Sequence, residues 1–489
     1  MADNQTYMQY FDWYLDNNGL WWRHCAAKAE AMRRIGISGV WLPPAYKGMS
    51  QADVGYGVYD AYDLGEFDQK GTVRTKYGTK EEYLNAVETL QRNGVQVFAD
   101  IVMNQRLGAD ETEDIRVVEV AENDRNHVIG GERTIRAWTR FLFPGRKGAY
   151  SKFTWDHTDF SGVDWDENEK RRGIFRMADK AWNAETDPEN GNFDFLLGAD
   201  VDTENPAVIQ ETEKWLIWYV RETGVNGLRL DAVKHIGFDF CRNLLQHVRE
   251  ETGKALPAVG EYWSGDVARL EHYLDCAHHE MALFDVPLHY HFYDASHGGG
   301  NYPMAQLLTD TLVQRQPSYA VTFVDNHDTE PGQSLQSFVD RWFKPLAYAV
   351  ILLRRDGVPC VFYSDYFGLP PMKIDPCPNL PQMMAIRRDF AYGDQADYFD
   401  NDNVVGWVRR GDEEHPGSGL AVVMSDGAGG VKHMEMGRCF AGAVFRDALN
   451  ICTDAVTVGQ DGWADFETSG GNVSVWLPEA AYDKINIEV

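Results

Sequence analysis

Gly227-Leu-Arg-Leu-Asp-Ala-Val-Lys-His235, Ala258-Val-Gly-Glu-Tyr-Trp263 and Thr322-Phe-Val-Asp-Asn-His-Asp328 follow one pattern. Each is a short apolar run, bounded by turn residues, that ends in an acid: Asp231, Glu261 or Asp328. Such runs read as strands of a parallel sheet buried on both faces. A buried strand has no structural use for a carboxylate at its end. In an α/β barrel that end is where catalytic groups are built. Paired carboxylates there are the equipment for hydrolysing glycosidic bonds.

Outward from these runs the chain alternates strand and helix. Strands are expected at 8–11, 39–43, 95–100, 227–231, 257–261, 282–286, 320–324 and 358–363. Helices are expected at 22–36, 79–93, 207–223, 238–252, 266–276, 302–314 and 339–355. Thr79 and Asn205 read as N-caps, the second followed by Pro206 in the first turn. Eight strands in this rhythm predict a (β/α)8 TIM barrel formed by 1–103 and 206–390. A doubly wound open sheet is the alternative. The rhythm stops over 104–205, where Gly, Asp, Asn and Trp crowd short segments, and an irregular β-rich domain inserted after the third strand is expected. From 391 to 489 the pattern turns to period two with glycine-rich turns, which predicts a C-terminal antiparallel β-sandwich.

Bulk composition narrows the function. The chain has 489 residues, 44% hydrophobic, with a formal net charge of -29. Phosphate backbones and anionic lipids are repelled by such a surface, so neither a nucleic acid nor a membrane partner is expected. A mean hydropathy of -0.43 agrees. The 7 cysteines are odd in number and have no Cys-x-x-Cys pair, as in reduced proteins. The first ten residues lack a basic stretch followed by an apolar one, so a cytoplasmic location is expected, or a secreted one if a leader has been removed. A monomer is expected.

Strand geometry divides the acids by role. Residues two apart share a face, so Arg229 and Asp231 point together while Leu228 and Leu230 face the helices. Arg229 is expected to keep Asp231 ionised, as a nucleophile requires. Glu261 ends the next strand. A carboxyl near another carboxylate and aromatic surface has its affinity for protons raised, which suits a donor to the leaving oxygen. Strand ends about 4.8 Å apart suit the roughly 5–5.5 Å carboxyl spacing of a retaining mechanism. Asp328 lies two strands on, beside His327. A metal-dependent barrel hydrolase would want more histidines at these ends.

Several further stretches belong with these: Met8-Gln-Tyr-Phe-Asp-Trp-Tyr14, Trp41-Leu-Pro-Pro-Ala-Tyr-Lys-Gly48, Ala52-Asp-Val-Gly-Tyr-Gly57, Asp100-Ile-Val-Met-Asn104 and Trp342-Phe-Lys-Pro-Leu-Ala-Tyr348. Together, over almost the whole chain, the sequence resembles the α-amylases of glycoside hydrolase family 13, above all the bacterial liquefying type and its intracellular relatives. The resemblance implies endo-hydrolysis of α-1,4-glucosidic bonds in starch, glycogen or maltodextrin with retention of configuration. It implies Asp231 as nucleophile, Glu261 as general acid/base and Asp328 as transition-state stabiliser. Arg229 would orient Asp231, and Tyr56 would stack on the sugar at the cleavage point. Gln9, Gln105, Lys234, His235, Trp263 and His327 would make further substrate contacts. It also implies a structural Ca2+ held by Asn104, Asp194, Asp200 and the backbone carbonyl of His235, a set of oxygen donors suited to a hard cation.

The chain departs from the family pattern at two places. Gln105 stands where the family usually has histidine; it hydrogen-bonds but cannot become cationic. A second metal cluster of the liquefying enzymes would fall on Ser161, Asn183, Asp202 and Glu204, where two carboxylates are lost. The rival functions are a maltooligosaccharide-forming exo-amylase or transglycosylase, and a non-catalytic glycan-binding protein on the same fold.

Overall fold

The computed structural model describes residues 4–482 and 484. The start of the leader reading and the end of the C-terminal domain reading lie outside the described residues.

Eight strands close into a parallel barrel. They are β1 (Tyr7–Gln9), β2 (Gly39–Leu42), β3 (Gln96–Ile101), β4 (Gly227–Leu230), β5 (Ala258–Gly260), β6 (Ala282–Phe284), β7 (Ala320–Phe323) and β8 (Val358–Phe362). Each pairs with its neighbour in sequence, and β8 pairs with β1. Leu228 and Leu230 join the large core between barrel and helices. Arg229 faces inward among Tyr7, Trp41, Phe98, Val259 and Val321. Burying one such large apolar side chain stabilises the closed sheet by about 1.5–3 kcal/mol.

Local signals set several helix starts. Thr79 accepts from the Glu82 amide and Glu82 reaches back to the Thr79 amide, a complete capping box for the helix Lys80–Arg92. The Asn205 side chain caps Pro206–Thr223 by accepting from Ala207 N.

The stretch after β6 differs from expectation. The strand stops at Phe284, and a helix runs over Val286–His297. Asp285 starts it by accepting from Leu288 N, with proline in the first turn. The helix expected over 302–314 is only a 3-10 turn at Met304–Gln306 and a short helix at Leu312–Arg315. The expected 339–355 helix is shorter, Lys344–Leu353, beginning at its proline.

Between β3 and β4 the chain forms the expected β-rich insertion, most of it one antiparallel sheet. Its longest strands, Glu111–Ala121 and Arg133–Arg140, pair in register from Thr112–Trp138 to Val117–Arg133. Ile115, Val117, Ile135 and Ala137 build its own core. Beyond the barrel, a six-stranded antiparallel sheet and a two-stranded one, Gly429–Glu435 with Trp463–Ser469, enclose Val408, Val423, Met434, Phe466 and Trp476. No helix among the described residues is long and apolar enough to cross a membrane.

Candidate active site

The C-terminal strand ends open into a cleft of about 910 Å3. Asp231, Glu261 and Asp328 all line it, so the acids singled out from three separate stretches meet. Asp231 follows β4 directly and Glu261 follows β5, whereas Asp328 sits in the loop beyond β7 rather than at its end.

Arg229 organises the floor. Its Nη1 donates to Asp231 Oδ1 at 2.6 Å and to Asp100 Oδ1 at 2.8 Å, and its Nη2 donates to Glu261 Oε2 at 2.7 Å. It is 1% exposed, so these bonds form away from bulk water, where charge-assisted hydrogen bonds are strongest. After Asp231 the backbone turns through Ala232, whose φ of 50° is left-handed and disfavoured for a residue with a Cβ. That turn aims the Ala232 amide at Glu261 Oε2, 3.2 Å away.

Burial pushes Asp231 well above the usual carboxylate range; Arg229 pulls it down, and the negative charges of Glu261 and Asp100 push it further up. Arg229 thus favours the charged form of Asp231 against burial, while its one guanidinium is divided among three carboxyls. The cluster is short of positive charge. Burial likewise lifts Asp328 to about 6, opposed by Arg229. His327 is pushed down to about 3 by burial and by the Arg229 charge, so it is neutral at working pH.

Of the expected contacts, Tyr56, Gln105, Lys234, His235 and Trp263 line the cleft. The Tyr56 hydroxyl donates to Asp100 Oδ2 at 2.8 Å, and Gln105 Nε2 donates to the Tyr56 carbonyl at 3.0 Å. Gln105 Oε1 is buried without a protein partner. Lys234 Nζ bridges Glu189 at 2.6 Å and the Trp263 carbonyl at 3.1 Å. Gln9, Arg229 and His327 lie behind this wall. Gln9 meets His327 Nδ1 at 3.1 Å, and the His327 ring stacks 5.0 Å from Tyr56 at 11°.

Sequence reading missed two groups. Asp100 receives Arg229, Trp41 Nε1 (2.9 Å) and Tyr56 together. Its signal was the period of two in β3, which puts Asp100 on the face of Phe98. Trp13 lines the cleft, parallel to Tyr56 within 2° at 6.2 Å.

The expected metal ligands gather at the junction with the inserted sheet. Asp194 and Asp200 are 6% and 1% exposed, and no lysine or arginine is ion-paired with either among the described residues. Burial lifts Asp194 to about 7 and Asp200 well above its ordinary value, each acid opposing the charge of a neighbouring one. Asn104 Nδ2 is buried without a partner. Buried acids without an ion-paired lysine or arginine fit an oxygen-ligated divalent ion, which Asn104 could join only through its amide oxygen. Among the described residues no three His, Cys, Asp or Glu side chains gather as a metal site. At the second cluster, Lys180 Nζ lies 2.6 Å from Asp202 Oδ2 and Ser161 Oγ bonds Asp200.

Comparison with known proteins gives this site its kin. The family pattern described as "Alpha amylase, catalytic domain" matches residues 22–396, and "Alpha-amylase C-terminal" matches 420–477. An α-amylase of Geobacillus stearothermophilus is 53% identical over 97% of this chain and 87% of its own. The cytoplasmic α-amylase of Escherichia coli K12 is 43% identical over 97% and 99%. The solved structure of an Anoxybacillus α-amylase superposes with a TM-score of 0.65 at 17% identity, covering 98% of both chains; it speaks for the fold. Matches of this identity and length, spanning the stretches that carry the three acids, decide membership: the chain belongs to the α-amylase family of glycoside hydrolases.

Proposed function

We propose that this α-amylase family member opens internal α-1,4-glucosidic bonds by double displacement, with Asp231 as nucleophile, Glu261 as acid/base and Asp328 as stabiliser. Asp231 attacks the anomeric carbon while Glu261 gives a proton to the departing glycosidic oxygen. Glu261 then takes a proton from water as it attacks the same carbon and releases Asp231. Two inversions give net retention. The observation that carries the assignment is the Arg229 fork, which grips Asp231 and Glu261 together. Tyr56, Trp13 and Trp263 offer aromatic faces for sugar rings, and Lys234, His235 and Gln105 offer polar contacts.

A structural calcium ion fits Asn104, Asp194, Asp200 and the His235 carbonyl. Bound there, it would join the inserted sheet to the barrel and fix the segment that carries Lys234 and His235. The second cluster does not fit, since Lys180 already supplies a cation to Asp202. The barrel is assigned to 1–103 and 206–390, the inserted domain to 104–205 and the C-terminal sandwich to 391–489. A cytoplasmic monomer acting on soluble glucan agrees with the unpaired cysteines and with the name of the Escherichia coli relative.

The test is covalent trapping. The Glu261→Gln variant, given an α-maltosyl fluoride, should accumulate a glycosyl ester, and peptide mass spectrometry should locate it on Asp231. Attachment to another residue overturns the assignment.

A further inference from the structure

The loop beyond β7 carries more acid than the reaction uses. Glu330 follows Asp328 by two residues, and its side chain is fully buried. Asp12, in the loop after β1, is 3% exposed. Ser364, after β8, stands between them, its Oγ 3.2 Å from Asp12 Oδ2 and 3.4 Å from Glu330 Oε1. Glu330 Oε2 accepts from Trp13 N at 3.2 Å, and Asp12 Oδ1 accepts from Tyr14 N at 2.8 Å.

A serine hydroxyl carries one proton. It donates to one of the two carboxyls. Were both ionised, the other would face only the hydroxyl's lone pairs. Among the described residues no lysine, arginine or histidine is ion-paired with Glu330. Lys344 is taken by Asp325 (2.8 Å) and Asp365, which are further negative neighbours. Lys76 acts on Asp12 from a distance and donates to the Trp13 carbonyl at 3.3 Å. Burial, reinforced by Asp12, pushes Glu330 up to about 9, while burial lifts Asp12 to about 6.

We propose that Glu330 is a positioning residue that works as a neutral carboxylic acid, clasping the Trp13 segment to the loop of Asp328 through Ser364 and Asp12. The three segments it joins follow β1, β7 and β8, the last being the short helix Tyr363–Phe367. Trp13 stacks parallel to both Tyr56 and His327, at 6.2 and 6.1 Å. Glu330 therefore sets the spacing between the aromatic wall and the carboxyl of Asp328. The inference rests on the role given to Asp328 above.

Glutamine keeps the shape and hydrogen bonds of a neutral acid but has no proton to lose. Glu330 binds its proton in the folded chain up to about pH 9, against an ordinary value of 4.5. The folded state thus holds the extra proton across that window, and stability falls as pH rises through it. The Glu330→Gln variant lacks this loss. Its melting temperature should gain on the parent steadily from pH 5 to pH 9. Its kcat on maltoheptaose at pH 7 should stay within about 3-fold, while Glu330→Ala loses about 10-fold to 100-fold with KM less affected. A melting difference that does not change with pH, or a glutamine variant as impaired as the alanine one, overturns the proposal. If Glu330→Ala does not fold, Asp12→Asn replaces it. Removing that negative neighbour should shrink the pH-dependent gain of glutamine, and an unchanged gain counts against the clasp. The melting series needs no turnover, so an error about Asp328 would alter only the kinetic results.

Discussion

Arg229 Nη1 holds Asp231 Oδ1 at 2.6 Å while the same guanidinium reaches Glu261 with Nη2. A planar fork fixes two carboxyls relative to each other; a lysine ammonium is a point charge and cannot. Arg229→Lys should keep the charge and lose the geometry, lowering kcat on starch by about 100-fold. Arg229→Ala should also destabilise the fold by about 3–5 kcal/mol, because it leaves buried acids without a partner. Steady-state kinetics and urea unfolding separate the two effects. A lysine variant with ordinary kcat would show that the fork is not needed.

Glu261→Gln removes the proton donor but keeps a group able to accept from Ala232 N and Arg229. Turnover on starch should drop by about 10²–10⁴-fold with unchanged unfolding. Glucosyl fluoride needs no proton on its leaving group, so the first, glycosyl-transferring step should be largely spared. A burst of fluoride release slowed as much as starch turnover would falsify the acid role of Glu261.

The acids and the barrel were legible because buried parallel strands are continuous apolar runs, against which a terminal carboxylate stands out. Caps at Thr79 and Asn205 were legible for a local reason: side-chain oxygens satisfy first-turn amides whatever lies around them. The helix Val286–His297 was not legible. Val286, Pro287, Leu288 and His289 are all buried, so its first turn shows no polar face and reads as the end of a strand. In the inserted sheet, Arg133–Arg140 alternates, with Ile135, Ala137 and Thr139 inward, a period of two rather than the helical period. Gln9 and His327 were legible only as members of their stretches; packing is what sets Gln9 against His327 and the His327 ring against Tyr56.

Asp328 predicts a pH dependence. Its carboxyl is lifted from 3.8 to about 6, so the folded chain binds a proton more readily than the unfolded one. Folding stability from this group is therefore fully present below pH 4 and is lost as pH rises to about 6. Asp328→Asn has no such loss and should be the more stable form by about 2–3 kcal/mol above pH 6, with no gain near pH 4. Unfolding free energies at pH 4, 5, 6 and 7 check this. A gap that stays constant across the series contradicts the raised carboxyl. His327 does not confuse the reading, since it stays neutral throughout this range.

The junction acids predict a metal response. Asp194 and Asp200 are buried carboxyls with no ion-paired lysine or arginine among the described residues, and an ion bound only by the folded chain stabilises it by mass action. At calcium about 100 times its dissociation constant the gain is about 2.7 kcal/mol. Removing calcium with a chelator should lower the melting temperature by several degrees, about 2–4 °C per kcal/mol for domains of this size. Asp200→Asn should abolish that response. It also removes one of the two charges that repel each other, so the variant without calcium should melt no lower than the parent without calcium. Metal content measured before and after chelation is the control. If calcium is shown to leave and the parent's melting curve does not move, the buried acids must be held neutral by their own protons, and the site binds no structural ion.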